Sequence, residues 1–243
     1  MKVLLTRRSD DNARMAALFA PAGLEAVLLP LIELADTGEV LPEYPYDFSV
    51  FTSAAAAEVL ASRQEVRLQD LAAYAVGPRT AAQLRQKAYR NVREGPGDAE
   101  GLATLIAADF GGHEGARGVY PCGEARARDL AAMLKPSGIA LDLAEVYRLK
   151  ECEVGRDALA AALGSTNGGA VAVFSAESGK RLMAQVRRHG LEDMLAAISI
   201  AALSQGVADA FDTDAFGDVH IATRPDAAAM AELLGQMRQS RES

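Results

Sequence analysis

Residues 4–32, LLTRRSDDNARMAALFAPAGLEAVLLPLI, decide the fold because the chain repeats their pattern further on. Residues 119–147, VYPCGEARARDLAAMLKPSGIALDLAEVY, match them at a shift of 115 residues, so that Gly23 falls on Gly138. Each copy has the pattern of a short strand, a polar turn, an amphipathic helix stopped by Pro-x-Gly and a second strand. The sequence therefore predicts a duplicated strand–helix–strand unit.

Three later pairs of segments extend this duplication in the same order. They are residues 49–60 with 172–182, 75–84 with 202–211, and 97–106 with 225–234. The shift grows to 128 residues, with Asp98 on Asp226, which predicts that the second copy carries its extra residues in loops. One match of Ala-rich helices would carry little weight, but four in order indicate two copies of one pattern.

Short apolar runs alternate with longer helical stretches in both copies. The clearest strands are YDFSVFTS (46–53), AAYAVG (72–77), GARGVYPC (115–122), GAVAVFS (169–175), AISIAALS (197–204) and DVHIAT (218–223). Nearly continuous apolar runs are typical of strands that are covered on both faces. The sequence therefore predicts an α/β fold with parallel sheets.

Composition narrows the class of protein. The 243 residues are half apolar and carry a formal net charge of −8, which disfavours a nucleic-acid partner and means that an anionic ligand needs local donors. No apolar run approaches the ~20 residues that span a bilayer, and the N-terminal residues do not form a secretory signal. We therefore expect a cytoplasmic protein without a membrane partner, in which Cys122 and Cys152 are thiols.

Common catalytic motifs are missing from the sequence. The three histidines lack metal-ligand spacing, so we expect no metal. A Gly-x-Ser-x-Gly elbow and a Walker motif are both absent, which disfavours hydrolysis of that type and nucleotide binding. Cys122 has no basic partner in sequence, which favours a packed thiol over a nucleophile.

Polar turns follow the predicted strands, at the sheet edge where α/β proteins bind ligands. These turns are Thr52-Ser53, 77–80, 121–126, 175–178 and 204–206. Ser and Thr at such positions either cap a helix or, together with the first backbone N–H groups, bind carboxylates or phosphates. Both interpretations stay open for each turn, but several such turns favour a site for a polyanion.

Basic residues divide into two sets. Those in or just after a strand-end turn are candidates to face the ligand, and they are Arg7, Arg79, Arg126 and Lys180. Those expected on helix surfaces are Arg14, Arg85, Arg128, Arg181 and Arg187.

The whole chain resembles the uroporphyrinogen-III synthase family. The resemblance depends on the order of eight segments, namely VLLTR, FTSAAA, AVGPRTA, YPCGEARARDL, VYRL, FSAESG, AALSQGVA and ATRPDAAAMAELL. It implies two Rossmann-like (flavodoxin-like) parallel-sheet domains that are joined by a two-stranded linker, with a cleft between them. The implied domains are 1–34 plus 151–243, and 38–145, with 35–37 and 146–150 as crossing linkers.

The resemblance also implies an activity. The family's lyases cyclise hydroxymethylbilane, a linear tetrapyrrole with eight carboxylates, in haem biosynthesis. Loss of the hydroxyl gives an azafulvenium cation, and a spiro intermediate then leads to inversion of ring D. The implied enzyme needs no cofactor, has a small polycarboxylate tetrapyrrole as its partner and works as a monomer.

Site residues carried over from the family fall into two groups. Tyr147 matches a tyrosine proposed to assist hydroxyl departure, although a purely packed strand tyrosine is an equal alternative. The substrate-binding candidates are Thr52, Ser53, Gly77, Thr80, Arg7, Ser175, Ser178 and Ser204. The family's Gly-x-Thr-Thr-Ala turn reads Ser-Gln-Gly-Val-Ala at 204–208. Ser204 is therefore the candidate substitute for the two lost hydroxyls.

Two other classes of function remain as alternatives. A non-catalytic ligand-binding module could keep the same two-lobed fold. An unrelated binding protein of the periplasmic type would also have two lobes, but it would need an export signal, which the sequence lacks.

Overall fold

The computed structural model describes residues 1–124 and 129–242. Within them the chain divides into two compact units, Met1–Glu33 with Lys150–Ser243 (unit 1) and Leu34–Leu149 (unit 2). None of the described helices has both the length and the apolar character needed to cross a membrane.

Strands and helices alternate along most of the described chain. The strands are β1 (Lys2–Leu5), β2 (Glu25–Leu28), β3 (Ile32–Asp36), β4 (Phe48–Phe51), β5 (Ala72–Ala75), β6 (Asn91–Glu94), β7 (Arg117–Gly123), β8 (Ala140–Glu151), β9 (Ala170–Val173), β10 (Ser199–Ala202) and β11 (Val219–Ile221). The helices are α1 (Ser9–Phe19), α2 (Ala54–Ser62), α3 (Pro78–Gln86), α4 (Ala99–Phe110), α5 (Leu130–Leu134), α6 (Arg156–Ser165), α7 (Ala176–His189), α8 (Gln205–Ala208) and α9 (Ala227–Glu242).

Each unit is built on one sheet among the described residues. In unit 1 the strand order is β2-β1-β9-β10-β11, and every neighbouring pair is parallel. In unit 2 the order is β3-β8-β7-β4-β5-β6, and the pairs from β8 to β6 are parallel. The order in unit 1 is the 2-1-3-4-5 arrangement of flavodoxin-like sheets. The predicted α/β class with parallel sheets is confirmed.

The two sequence copies exchange strands between the units. The first copy contributes β1 and β2 to unit 1 but β4, β5 and β6 to unit 2. The second copy contributes β7 and β8 to unit 2 but β9, β10 and β11 to unit 1. Each sheet is therefore completed by strands from both copies.

Apolar side chains cover both faces of the sheets. In β1, Val3 and Leu5 pack into one cluster with α1 and α9, while Leu4 between them packs into another with α6 and α7. Strands β4, β9 and β10 are buried along their whole length. This burial on two sides explains the continuous apolar runs, because neither face of these strands needs polar residues.

The repeated Pro-x-Gly stops have the same local structure. A short 3₁₀ turn, Ala20–Ala22 in one copy and Lys135–Ser137 in the other, ends at a glycine with positive φ. The φ angles are 70° at Gly23 and 74° at Gly138, in the left-handed region that glycine enters without a Cβ clash. The predicted duplication of this unit is confirmed.

Candidate functional site

The predicted site residues of unit 2 follow the carboxyl ends of its strands. Thr52 and Ser53 come directly after β4, and Gly77 and Thr80 follow β5. Tyr147 lies on β8, opposite the last residue of β7. Because β8, β7, β4 and β5 are parallel neighbours, these strand ends lie along one edge of the sheet.

A β-bulge in β8 sets the position of Tyr147. Along the β7–β8 ladder Cys122 pairs with Glu145, but Gly123 pairs with Tyr147, so Val146 is an extra residue on β8. Such bulges bend a strand and redirect the side chains beside it. The backbone carbonyl of Tyr147 also accepts a hydrogen bond of 3.1 Å from the N–H of Glu124.

The ring of Tyr147 lies directly on the backbone of Gly123. A Cβ at Gly123 would lie 3.1 Å from the hydroxyl oxygen of Tyr147 and 2.6 Å from its Cε2, and real Cβ contacts do not reach the second distance. Gly123 is therefore the residue that makes room for this ring. Tyr147 is half-buried and packs against the cluster that contains Val146 and Ala144. These contacts fix the position of the Tyr147 phenol, whose hydroxyl can donate one hydrogen bond to a ligand.

Thr52 has a partner that the sequence did not predict. Its Oγ1 lies 2.6 Å from the hydroxyl oxygen of Tyr120, a residue of β7 that is 5% exposed. Since β4 and β7 are neighbours, their parallel pairing brings the two residues together. The only signal in the sequence was the aromatic residue inside the strand pattern GARGVYPC, which does not distinguish a packed tyrosine from a hydrogen-bonded one.

The other unit 2 candidates are helix starts. Ser53 is the N-cap of α2 and accepts a hydrogen bond of 3.2 Å from the N–H of Ala55. Gly77 is the N-cap of α3, and a Cβ there would approach the Cα of Gly97 to 3.1 Å. Thr80 is buried in the first turn of α3, with 7% exposure. At this turn Gly77 and Thr80 are both buried, while Pro78 and Arg79 are exposed.

Arg7 lies beside the strand-end turn after β9 in unit 1. Its guanidinium carbon stands 5.0 Å from the centre of the Phe174 ring, and Phe174 directly follows β9. Arg7 also donates to Asp11 at 3.2 Å. Because β1 and β9 are parallel neighbours, their ends place this cation next to Ser175 and its turn.

Ser175 and Ser178 form a capping box at the start of α7. Ser175 Oγ accepts a hydrogen bond of 3.2 Å from the N–H of Ser178, and the N–H of Ser175 donates to Ser178 Oγ at 3.2 Å. Ser204 likewise caps α8, accepting 3.3 Å from the N–H of Val207. Because α8 has only four residues, its dipole is weaker than that of the 14-residue α7.

The remaining basic candidates differ in their surroundings. Lys180 lies 3.4 Å from Glu177 on α7, and Arg79 is exposed in α3. Arg126 and Arg128 lie outside the described residues. Of the residues in 1–124 and 129–242, no cluster of three or more His, Cys, Asp or Glu side chains is arranged as a metal site.

The protein is a duplicated α/β protein with two units, each built on a mainly parallel sheet. Each sheet takes strands from both sequence copies, and turns with Ser or Thr follow several of the strands. The model of the family described as uroporphyrinogen-III synthase HemD matches residues 13–232. The chain belongs to the uroporphyrinogen-III synthase family. Enzymes of this family are lyases that catalyse the cyclisation of hydroxymethylbilane, a tetrapyrrole.

A solved structure agrees with this fold. The chain is similar to uroporphyrinogen-III synthetase from Helicobacter pylori, with a TM-score of 0.63, 17% identity and 96% coverage of both chains. Uroporphyrinogen III synthase from the extremely thermophilic bacterium Thermus thermophilus gives a TM-score of 0.43 at 16% identity over 100% of both chains. Among curated proteins, none gives a significant match.

Proposed function

We propose that this chain converts hydroxymethylbilane into the ring-D-inverted cyclic tetrapyrrole, with loss of water. The observation that carries this proposal is the family match, which extends over residues 13–232. The absence of a classical acid–base set from the sequence is compatible with it, because an electron-rich pyrrole expels its benzylic-type hydroxyl with little help. The main task of the enzyme is then to control geometry.

Tyr147 is the residue we propose to assist the first step. Its phenol donates a hydrogen bond to the leaving hydroxyl while the pyrrole nitrogen lone pair forms the azafulvenium cation. The substituted carbon of ring D then attacks the cation to give a spiro intermediate, which fragments and recloses with ring D inverted. The position of Tyr147 on a bulge against Gly123 supports this role, since it holds the ring in one place.

The strand-end turns are the proposed carboxylate-binding groups. Helix starts offer unpaired N–H groups and a partial positive charge, which can hold carboxylates on a chain of net charge −8. The proposed contributors are Thr52, Ser53, Gly77 and Thr80 in unit 2, and Arg7, Ser175, Ser178 and Ser204 in unit 1. Of the hydroxyls, Ser175 is exposed and Thr80 is buried, so Ser175 is better placed to reach a substrate.

The oligomeric state, the cellular location and the independence from cofactors remain predictions. We propose a monomeric, cytoplasmic enzyme that uses no cofactor. Activity of the purified protein after dialysis against chelator tests its independence from a metal, and its mass in solution tests the oligomeric state.

The function itself is tested by separating reaction products. Purified protein is incubated with freshly generated hydroxymethylbilane, and the oxidised products are resolved into isomers I and III. We expect mainly isomer III. Mainly isomer I, as in a control without enzyme, would remove the enzymatic role and favour a non-catalytic ligand-binding module.

A further inference from the structure

The bulge that positions Tyr147 is anchored from outside its own strand pair. The carbonyl of Val146, the extra residue, accepts hydrogen bonds from the N–H of Thr37 at 3.2 Å and from Nη2 of Arg63 at 3.3 Å. The carbonyl of Glu145 accepts a third bond, of 2.5 Å, from Thr37 Oγ1. Hydrogen bonds from Thr37 and Arg63 therefore fix both of the peptide carbonyls that precede Tyr147.

Arg63 is itself fixed on several sides. Its Nε donates to Asp36 Oδ2 at 2.7 Å, its Nη2 donates to Asp36 Oδ1, and its Nη1 donates to the carbonyl of Glu39 at 2.5 Å. A guanidinium that makes a two-point contact with a carboxylate keeps one orientation, which a lysine could not reproduce. Arg63 is also the C-cap of α2, where a cation is favoured by the helix dipole.

A bulge adds one residue to its strand, so the direction of the side chains that follow depends on where that residue lies. Slipping by one residue would move Tyr147 to the opposite face of the sheet, away from Gly123. Val146 is also buried, so its carbonyl needs a hydrogen-bond donor. Arg63 and Thr37 supply the donors that this carbonyl needs.

We propose that Arg63 is a positioning residue for the reaction, holding Tyr147 against Gly123 through the Val146 carbonyl. This inference rests on the proposed role of Tyr147. Arg63 touches no reacting atom in this scheme, so its effect on turnover reaches the substrate only through the phenol. The hydrogen bonds from Arg63 lower the pKa of Asp36 to about 2, as expected for a carboxylate that accepts two hydrogen bonds from one guanidinium.

The chain offers a matched control in Arg117. Arg117 makes a two-bond pair with Asp142, with Nε to Oδ2 at 2.9 Å and Nη2 to Oδ1 at 2.6 Å. The pair lies on β7 and β8, the same strands that carry Gly123 and Tyr147, but near their other ends. Arg117→Ala therefore removes a comparable ion pair without touching the bulge.

Kinetics provide the first test. We expect Arg63→Ala to lower kcat about fivefold, and by no more than Tyr147→Phe does, while Arg117→Ala leaves kcat unchanged. In a Tyr147→Phe background, Arg63→Ala should lower kcat no further, because the group that it positions is gone. A full additional loss in the double variant would overturn the proposal, since Arg63 would then act by another route.

The position of Tyr147 provides the second test, independent of activity. The protein is labelled with 3-fluorotyrosine, and the fluorine resonance of Tyr147 is assigned from its loss in Tyr147→Phe. Arg63→Ala should shift and broaden this resonance, and Arg117→Ala should not. An unchanged Tyr147 resonance in folded Arg63→Ala refutes the positioning role, even if wild-type protein yields only isomer I and the proposed function has failed.

A third variant covers the case in which Arg63→Ala does not fold. Arg63→Lys keeps the charge but loses the planar fork, so it should shift the same resonance and lower kcat. A wild-type kcat together with a wild-type resonance in Arg63→Lys would contradict the proposal.

Discussion

Gly123 and Tyr147 face each other at the end of the β7–β8 ladder, and the ring of the tyrosine occupies the space that any other residue at 123 would need. Gly123 has no reactive group, but its lack of a side chain determines where the phenol of Tyr147 can lie, and this phenol is proposed to act on the substrate. Changes at either residue should therefore affect turnover.

Replacing Gly123 tests this relationship. Gly123→Ala places a methyl group 2.6 Å from Tyr147 Cε2, so the ring must move. We expect kcat to fall about tenfold because a displaced phenol no longer meets the leaving hydroxyl. Steady-state rates of isomer III formation measure the effect.

Gly118→Ala is the matched control for this change. Gly118 lies in the same strand and also faces an aromatic ring, with a Cβ placed 2.3 Å from Phe48 Cε2 inside the core. Overpacking there should cost about 1–3 kcal/mol in the free energy of unfolding and leave the kcat of the folded fraction unchanged. Equal losses of kcat in both variants would show that general strain, and not the position of Tyr147, is responsible.

Removing the phenol alone should slow the reaction without stopping it. Tyr147→Phe deletes one hydrogen bond to the leaving oxygen, worth about 1–1.5 kcal/mol, which corresponds to about tenfold in kcat. Isomer III should remain the main product, because folding of the substrate is a separate task. A wild-type rate would show that the phenol is dispensable, and product identity is read from the isomer ratio.

Ser175 allows its two roles, capping and binding, to be separated. Asp and Asn both cap helices well, so Ser175→Asp and Ser175→Asn should melt within a few degrees of the wild type. If the turn binds a substrate carboxylate, the negative charge of Asp should raise KM about fivefold above that of the Asn variant, from a repulsion of about 1 kcal/mol. Matching KM values in the two variants would leave Ser175 with only its role as a cap.

Acid should weaken unit 2 through Asp36. Hydrogen bonds from Arg63 lower the pKa of Asp36 from 3.8 to about 2. A carboxyl with a depressed folded-state pKa contributes stability above its unfolded-state value, and this contribution is lost as pH falls from about 4 to about 2. The free energy of unfolding, measured by denaturant titration, should therefore fall less over this pH range in Asp36→Asn than in wild type.

Salt provides a check on the same ion pair. The side chain of Asp36 is 41% exposed, so its interaction with Arg63 should be screened. In 1 M NaCl the difference between wild type and Asp36→Asn should shrink. A difference that stays constant with salt would point to a loss of local backbone hydrogen bonds, such as that from Gly38, instead of charge pairing.

The sequence predicted the fold class because its signals are local and repeated. Apolar runs such as AVAV at 170–173 identify strands buried on both faces. Glycines such as Gly23 identify the ends of helices, because the residue there takes a positive φ. The family followed from the order of short segments, and the match over residues 13–232 confirms it.

Side-chain partners were harder to predict because they depend on register. The contact between Thr52 and Tyr120 joins residues that are 68 positions apart, and the bulge at Val146 has no signature in the local pattern. Arg63 was not among the candidates, because its bonds to Asp36 and to the Val146 carbonyl join residues 27 and 83 positions apart. Whether the hydroxyl turns bind substrate also remains a prediction, because a cap and a carboxylate site use the same residue types.

Each sequence copy contributes strands to both units, and this arrangement affects the order in which the sheets can form during synthesis. Unit 2 is one continuous segment, 34–149, so its sheet can close while residues 150–243 are still being made. Strand β1 emerges first, yet its neighbour β9 begins only at Ala170, so one side of the oldest strand stays open until then. A released chain of residues 1–169 should therefore protect β4 to β8 from proteolysis and leave β1 and β2 accessible.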